Sequence, residues 1–202
     1  MWKIVEFRAV SQRGWGVLSG WDNNPDHNVP SRYEKICGFE EGRSAGKSGA
    51  DKPYDFAGWT PDAVIINLGT NDASAFREPK WHDWHSKREF KQHTNPDGSY
   101  AKEDVQRLEN AIGDFLHMVR KDNPTAHILW TYGMLGHELS GVIKEAVAKY
   151  KAGSEDGNVG FLELPDTPEE KVGSLRHPGE KSHGYAAEVI VSYLEEQLIC
   201  QK

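Results

Sequence analysis

A three-layer α/β/α fold built on a parallel sheet is what this 202-residue chain predicts, and three observations carry that expectation. Residues 63–70 form an apolar run containing Val64, Ile65 and Ile66 in succession, the pattern of a parallel strand covered on both faces. Residues 104–120 place Val105, Leu108, Ile112, Phe115 and Val119 on one helical face. Downstream, short apolar runs alternate with helical periodicity, the order that builds βαβ units.

The elements follow in order. Residues 30–37 read as a short helix opened by Pro30 and closed by Gly38, and the Gly-, Ser- and Lys-rich stretch to Lys52 reads as a loop. Gly69 breaks the 63–70 strand, and Thr70, Asn71 and Asp72 then form a turn at its carboxyl end, where open parallel sheets bind ligands. The plain alternative is an Asn-Asp turn that only ends a strand. The 104–120 helix stops before Pro124. Residues 127–132 read as a strand, 142–150 as a helix and 159–164 as the last strand. In the final helix Ala187, Ile190, Val191, Leu194 and Leu198 recur at helical spacing, so His177, with Pro178 and Gly179, stays in the loop ahead of it.

Between residues 75 and 100 the periodicity stops. A long polar insertion carries Trp81, His82, Asp83, Trp84, His85 and His93, and loops of that length are usually functional or disordered. A short helix there would put His82 and His85 on one face beside Asp83 as metal ligands, against the plainer reading of a solvated cap with aromatic anchors. Trp15, Trp21 and Trp59 offer flat surfaces suited to sugar rings, or serve the core.

Gly69-Thr70-Asn71-Asp72, His177-Pro178-Gly179 and the glycine-rich block from Ser11 to Asn23, taken together and in this order, resemble the SGNH or GDSL-type hydrolases, within them the carbohydrate-esterase-like members of clostridial type. The resemblance covers nearly the whole chain and implies a flavodoxin-like sheet and ester hydrolysis, with acetylated carbohydrate as the substrate class. It assigns His177 as catalytic base, and the Gly14 N–H and the Asn71 amide as oxyanion-hole donors. Asp72 is expected to support the turn under Asn71. In such acyl transfer a serine attacks the ester carbonyl, a histidine takes its proton and the donors hold the oxyanion. Gly14, Asn71 and His177 should therefore converge at one end of the sheet.

The chain departs from the family in one respect. The nucleophilic serine belongs to a Gly-Asp-Ser motif after the first strand, and no Gly-Asp-Ser occurs in these 202 residues. Residues 2–10 resemble the family's second strand, so the expectation is an N-terminally truncated domain, or a serine supplied by another polypeptide. In the implied topology the missing strand lies between residues 2–10 and the 63–68 strand. Its absence leaves unpaired edges, which would pair directly with each other or with another chain to make an oligomer. The triad acid is also lacking: Gly173, Ser174, Leu175 and Arg176 precede His177, and Asp166 lies eleven residues before it. A backbone carbonyl orienting the histidine would leave a serine–histidine dyad.

Composition fits one domain over residues 1–202. A net charge of -7, from 24 Lys and Arg against 31 Asp and Glu, argues against nucleic acid and anionic membranes as partners. Cys37 and Cys200 lack metal-ligand spacing and read as inert thiols. Lys3, Glu6 and Arg8 exclude a signal-peptide core over the first ten residues, and no run of about 18 apolar residues occurs, so the chain as it stands is expected to be cytoplasmic. No cofactor or metal is expected. The function expected is carbohydrate deacetylation by a serine–histidine mechanism. The competing reading is a non-catalytic glycan- or protein-binding remnant or partner subunit, with metal-dependent hydrolysis through His82 and His85 third.

Overall fold

The computed structural model describes residues 6–39 and 43–199. Three parallel strands form the main sheet in the order β1-β4-β5: β1 (Ala63–Asn67), β4 (His127–Gly133) and β5 (Val159–Leu164). The helices are α1 (Pro30–Tyr33), α2 (Arg43–Ser48), α3 (Thr70–Ala75), α4 (Lys102–Asp122), α5 (Ser140–Ser154) and α6 (Glu180–Ile199). A small antiparallel hairpin pairs β2 (Trp81–His82) with β3 (Glu89–Phe90).

β4 is central and buried along its whole length. Because side chains alternate across a strand, Ile128, Trp130 and Tyr132 join one core with Leu108, Ile112 and Phe115 of α4 and Ile143 and Val147 of α5. The other face of β5, through Leu162 and Leu164, packs on Ala186, Val189 and Ile190 of α6. Helices thus lie on both faces, as the sequence predicts. Leu164 at the carboxyl end of β5 meets Ala186, while His127 at the amino end of β4 faces Tyr193. The start of α6, and the His177 segment before it, therefore sit at the carboxyl end of the sheet.

The amino end is held by one guanidinium. Arg120, in the last turn of α4, donates to the carbonyls of Asn123, Ala126 and Asn158 and forms a two-point pair with Asp156. It ties the end of α4 to the segments that open β4 and β5.

Several sequence expectations change. Coverage of β1 on both faces fails: Ile65 is 47% exposed, because β1 is a sheet edge and no described element covers that face. The expected 30–37 helix stops at Tyr33, since Ile36, Cys37 and Tyr54 enter antiparallel hydrogen bonds with Lys52, Ala50 and Glu34. The polar stretch before Lys52 contains α2, closed by Gly49 at φ +83 with Ala50 N–H returning to the Ala45 carbonyl. The Thr70–Asp72 turn is the first turn of α3. Of the strand expected over residues 2–10, positions 2–5 lie outside the described residues, and 6–10 are exposed and irregular.

Those residues do not pair with β1. A cavity of about 420 Å³ runs along the outer edge of β1, lined by Val64, Ile66 and Leu68 on one side and Arg8, Val10 and Gln12 on the other. Among the described residues that edge has no ladder partner. No described helix is long and apolar enough to cross a membrane.

Candidate active site

Gly69 ends the strand segment at φ +128, a conformation that favours glycine, and a Cβ there would meet Ile143 and Tyr132 at 2.7 and 3.0 Å. The chain then turns into α3 with Asn71 and Asp72 in its first turn, and both side chains grip the glycine block. Asn71 Nδ2 donates to the Trp15 carbonyl at 2.8 Å. The Asp72 carboxylate accepts the Val17 and Leu18 N–H groups at 2.9 and 2.8 Å. Gly16 has no space for a side chain, since a Cβ would lie 2.4 Å from Asp72 Oδ2. Asp72 thus braces the glycine block from the first turn of α3.

Asp72 is fully buried. Burial pushes its carboxyl up to about 6, against the opposing effect of the Val17, Leu18 and Ser19 N–H groups. Gly14, at φ +79, opens a loop that Trp21 N–H closes onto the Gly14 carbonyl at 3.0 Å. The Gly14 N–H has no acceptor among the described residues. One Asn71 amide hydrogen is committed to Trp15, and the second is available. Gly14 and Asn71, separate in sequence, are therefore joined through Trp15.

A cleft of about 410 Å³ opens at Gly14, lined by Gln12, Arg13, Trp21, Asp22 and His27 among others. Trp15 forms part of its wall and belongs to the core, stacked on His27 at 5.0 Å. Trp21 is half exposed, and Trp59 lies under the Arg8 guanidinium at 4.6 Å.

His177 is exposed, in the segment that leads into α6 toward the carboxyl end of the sheet. It does not line the cavity that holds Asn71. Its Nδ1 is 3.0 Å from the Leu175 carbonyl. A carbonyl only accepts, so the ring hydrogen belongs on Nδ1 and Nε2 keeps its lone pair. Leu175 and Arg176 both hold positive φ, 53° and 60°, to bring that carbonyl round. Gly179 packs tightly behind, where a Cβ would lie 2.7 Å from the Lys171 carbonyl. Asp166 is engaged elsewhere, accepting Gly136 N–H at 2.9 Å and facing His137 Nε2 at 3.3 Å.

The 75–100 insertion is built, not loose. Asn23 donates to the Ala75 and Pro79 carbonyls at 2.7 and 3.0 Å and accepts Gln92 N–H at 2.9 Å, while Gln92 donates to Ser19 Oγ at 3.0 Å. Sequence reasoning missed this buried polar link, whose signal was the run of Asp and Asn after Trp21. The short helix proposed for His82 and His85 is absent. His82 is on β2, bonded to Glu89 at 3.1 Å, and His85 is in the turn. Among the described residues no three metal-ligating side chains cluster. Cys37 is exposed and free, and Cys200 lies outside the described residues.

A parallel sheet with helices on both faces, carrying a glycine loop and a strand-end Asn at its carboxyl edge, defines an SGNH-type α/β hydrolase domain. The chain belongs to the GDSL-like lipase/acylhydrolase family, whose model matches residues 17–190. No curated protein sequence matches it. Among solved structures it is similar to an acetyl xylan esterase from the rumen bacterium Butyrivibrio proteoclasticus, with 49% identity and a TM-score of 0.90 over 94% of this chain and 51% of that one. A family two carbohydrate esterase from Clostridium thermocellum, solved with cellohexaose, shares the fold at 24% identity and TM-score 0.66, covering 92% of this chain and 48% of that one. One from Cellvibrio japonicus does so at 17% and 0.62, covering 90% and 45%. The chain spans about half the length of these structures.

Proposed function

We propose that this domain removes acetyl groups from carbohydrate by a serine–histidine mechanism. The reading rests on one observation: Asn71 is bonded to the glycine block in a chain 49% identical, over 94% of its length, to an acetyl xylan esterase. His177 Nε2 takes the serine proton as the hydroxyl adds to the ester carbonyl. The Gly14 N–H and the second Asn71 amide hydrogen hold the resulting oxyanion, each such donor being worth roughly 3 kcal/mol. Leu175 O orients the imidazole in place of a carboxylate, which makes the catalytic pair a dyad. The alcohol leaves with the proton from His177, and water repeats the sequence to release acetate.

The serine itself comes from a Gly-Asp-Ser strand outside these 202 residues. The cavity along the free edge of β1 supports that source, since it follows the apolar edge residues Val64, Ile66 and Leu68 of a strand that ends near Asn71. It also favours the second reading, a partner subunit that binds another polypeptide without hydrolysis. One experiment separates them. Acetate release from acetylated xylan is measured for the chain alone and with a Gly-Asp-Ser strand polypeptide supplied in trans. His177-dependent release only in the second case is expected. Binding of that polypeptide without release would leave the partner-subunit reading standing instead.

A further inference from the structure

We propose that the outer flank of α6 is a docking face for an amphipathic helix of another polypeptide, one whose apolar stripe is bordered by Lys or Arg. α6 carries two apolar stripes and uses one. Ala186, Val189 and Ile190 pack on Leu162 and Leu164 of β5, and Tyr193 faces His127 of β4. The other stripe is Gly184, Ala187, Val191, Leu194 and Leu198, which recur at intervals of three, four, three and four. That is the spacing with which one helix meets a second.

Among the described residues α6 meets chiefly β5 and the turn at Glu169–Lys171, and the second stripe is left open. Gly184, Ala187 and Val191 are exposed, Val191 by 38%, and Leu194 and Leu198 are half-buried. Side chains alternate along β1, so Ile65 points away from the core that holds Ile66 and stands on the α6 side of the sheet, where it is uncovered too. The layer to which α6 belongs is incomplete. Its open stripe grades from small to large: a Cβ at Gly184 would meet nothing within 4 Å, and Ala187 presents only a methyl group. A partner helix can approach closely there and fill the space with large aliphatic side chains, over a seam of about 21 Å at 1.5 Å per residue.

Charge decides between a second copy and a different chain. Residues 182–199 contain Glu188, Glu195 and Glu196 and no Lys or Arg. Glu188 and Glu195 directly follow Ala187 and Leu194, so both border the stripe along one edge. A second α6 would bring Glu against Glu or against uncharged side chains, and like charges so placed are destabilising. Lys or Arg on the flanks of a different helix would pair with them.

The test uses the whole chain and a fluorescein-labelled helical peptide of about three heptads, with Leu at a and d and Lys at e and g, followed by anisotropy. A twin peptide with Glu in place of Lys is the control. The Lys-flanked peptide should bind, and the Glu-flanked one about tenfold more weakly or not at all. Val191→Asp should weaken binding about tenfold even though it adds negative charge, which separates the stripe from general attraction between a cationic peptide and a chain of net charge -7. If Val191→Asp fails to fold in thermal melts, Ala187→Glu at an exposed position gives the same readout. Tyr185→Ala, exposed on another side of α6, should leave binding unchanged. No binding of the Lys-flanked peptide, equal binding of both peptides, or undiminished binding by the stripe variants overturns the proposal. A dimer in sedimentation velocity that Val191→Asp dissociates would assign the face to a second copy and also overturn it.

Discussion

Asn71 donates one amide hydrogen to the Trp15 carbonyl at 2.8 Å, which leaves the other uncommitted. The same bond fixes the amide's orientation and anchors the loop. Asn71→Ala should therefore lose both effects. In the complemented enzyme kcat is expected to fall on the order of 10²- to 10³-fold with KM little changed. A KM change alone would show that Asn71 only shapes the cleft.

Asp72 carries the loop's interior hydrogen bonds. Asp72→Ala would strand the Val17 and Leu18 N–H groups in the core, at about 1–3 kcal/mol each. Urea unfolding should show a loss of several kcal/mol, with Asp72→Asn milder because its oxygen still accepts. A loss below about 1 kcal/mol for Asp72→Ala would count against the bracing role.

The Asp72 carboxyl, raised by burial to about 6, has a definite sign in the pH profile. The native state holds its proton more tightly than the unfolded chain does, so its contribution is fully present below about 4 and declines as pH rises to about 6. The expected size is about 3 kcal/mol. Asp72→Asn should remove that slope, as seen in the difference between the two stability–pH curves. A difference curve flat over this window would contradict it.

His127 acts in the opposite direction. Burial, with Arg120 and Lys151 nearby, pushes its imidazole below the ordinary range, and neither ring nitrogen has a hydrogen-bond partner. The unfolded chain then binds the proton more readily, so stability is lost as pH falls below about 6.5. His127→Phe should hold its Tm better than wild type between pH 7.5 and 5. Parallel decline of both proteins would remove His127 as a cause.

The His177 loop should respond to backbone chemistry. Gly179→Ala would drive a Cβ to 2.7 Å from the Lys171 carbonyl, and Arg176→Val would force a β-branched residue to φ 60°. Each is expected to destabilise by about 1–2 kcal/mol. Arg176→Gly relieves the strained φ and should be nearly neutral by calorimetry.

Much of the interior was legible because local pattern and tertiary demand agree there. The last strand, Val159–Leu164, matches its apolar run residue for residue, and α4 differs from the expected 104–120 by two residues at each end. Reading failed where partners distant in sequence decide the conformation. Residues after Tyr33 abandon the helix because Ala50 and Lys52 offer carbonyls, and Ile65 is exposed because nothing in its own sequence records that β1 is an edge. At the candidate site, Gly14, Asn71 and His177 stand out in the sequence only as residue types in a given order. What was not readable is that Asp72 reaches 55 residues back to Val17. Nor was it readable that two left-handed residues turn the Leu175 carbonyl to His177.

The Arg120 staple implies a division of mutational tolerance. With the opening segments of β4 and β5 fastened to α4 by a single side chain, the structural debt of the sheet is concentrated at its amino end. Loops at the carboxyl end can then be lengthened or exchanged without loosening the frame. The loops on the carboxyl side of the sheet are thus the part of this scaffold open to redesign, whereas Arg120 is a poor position for any library.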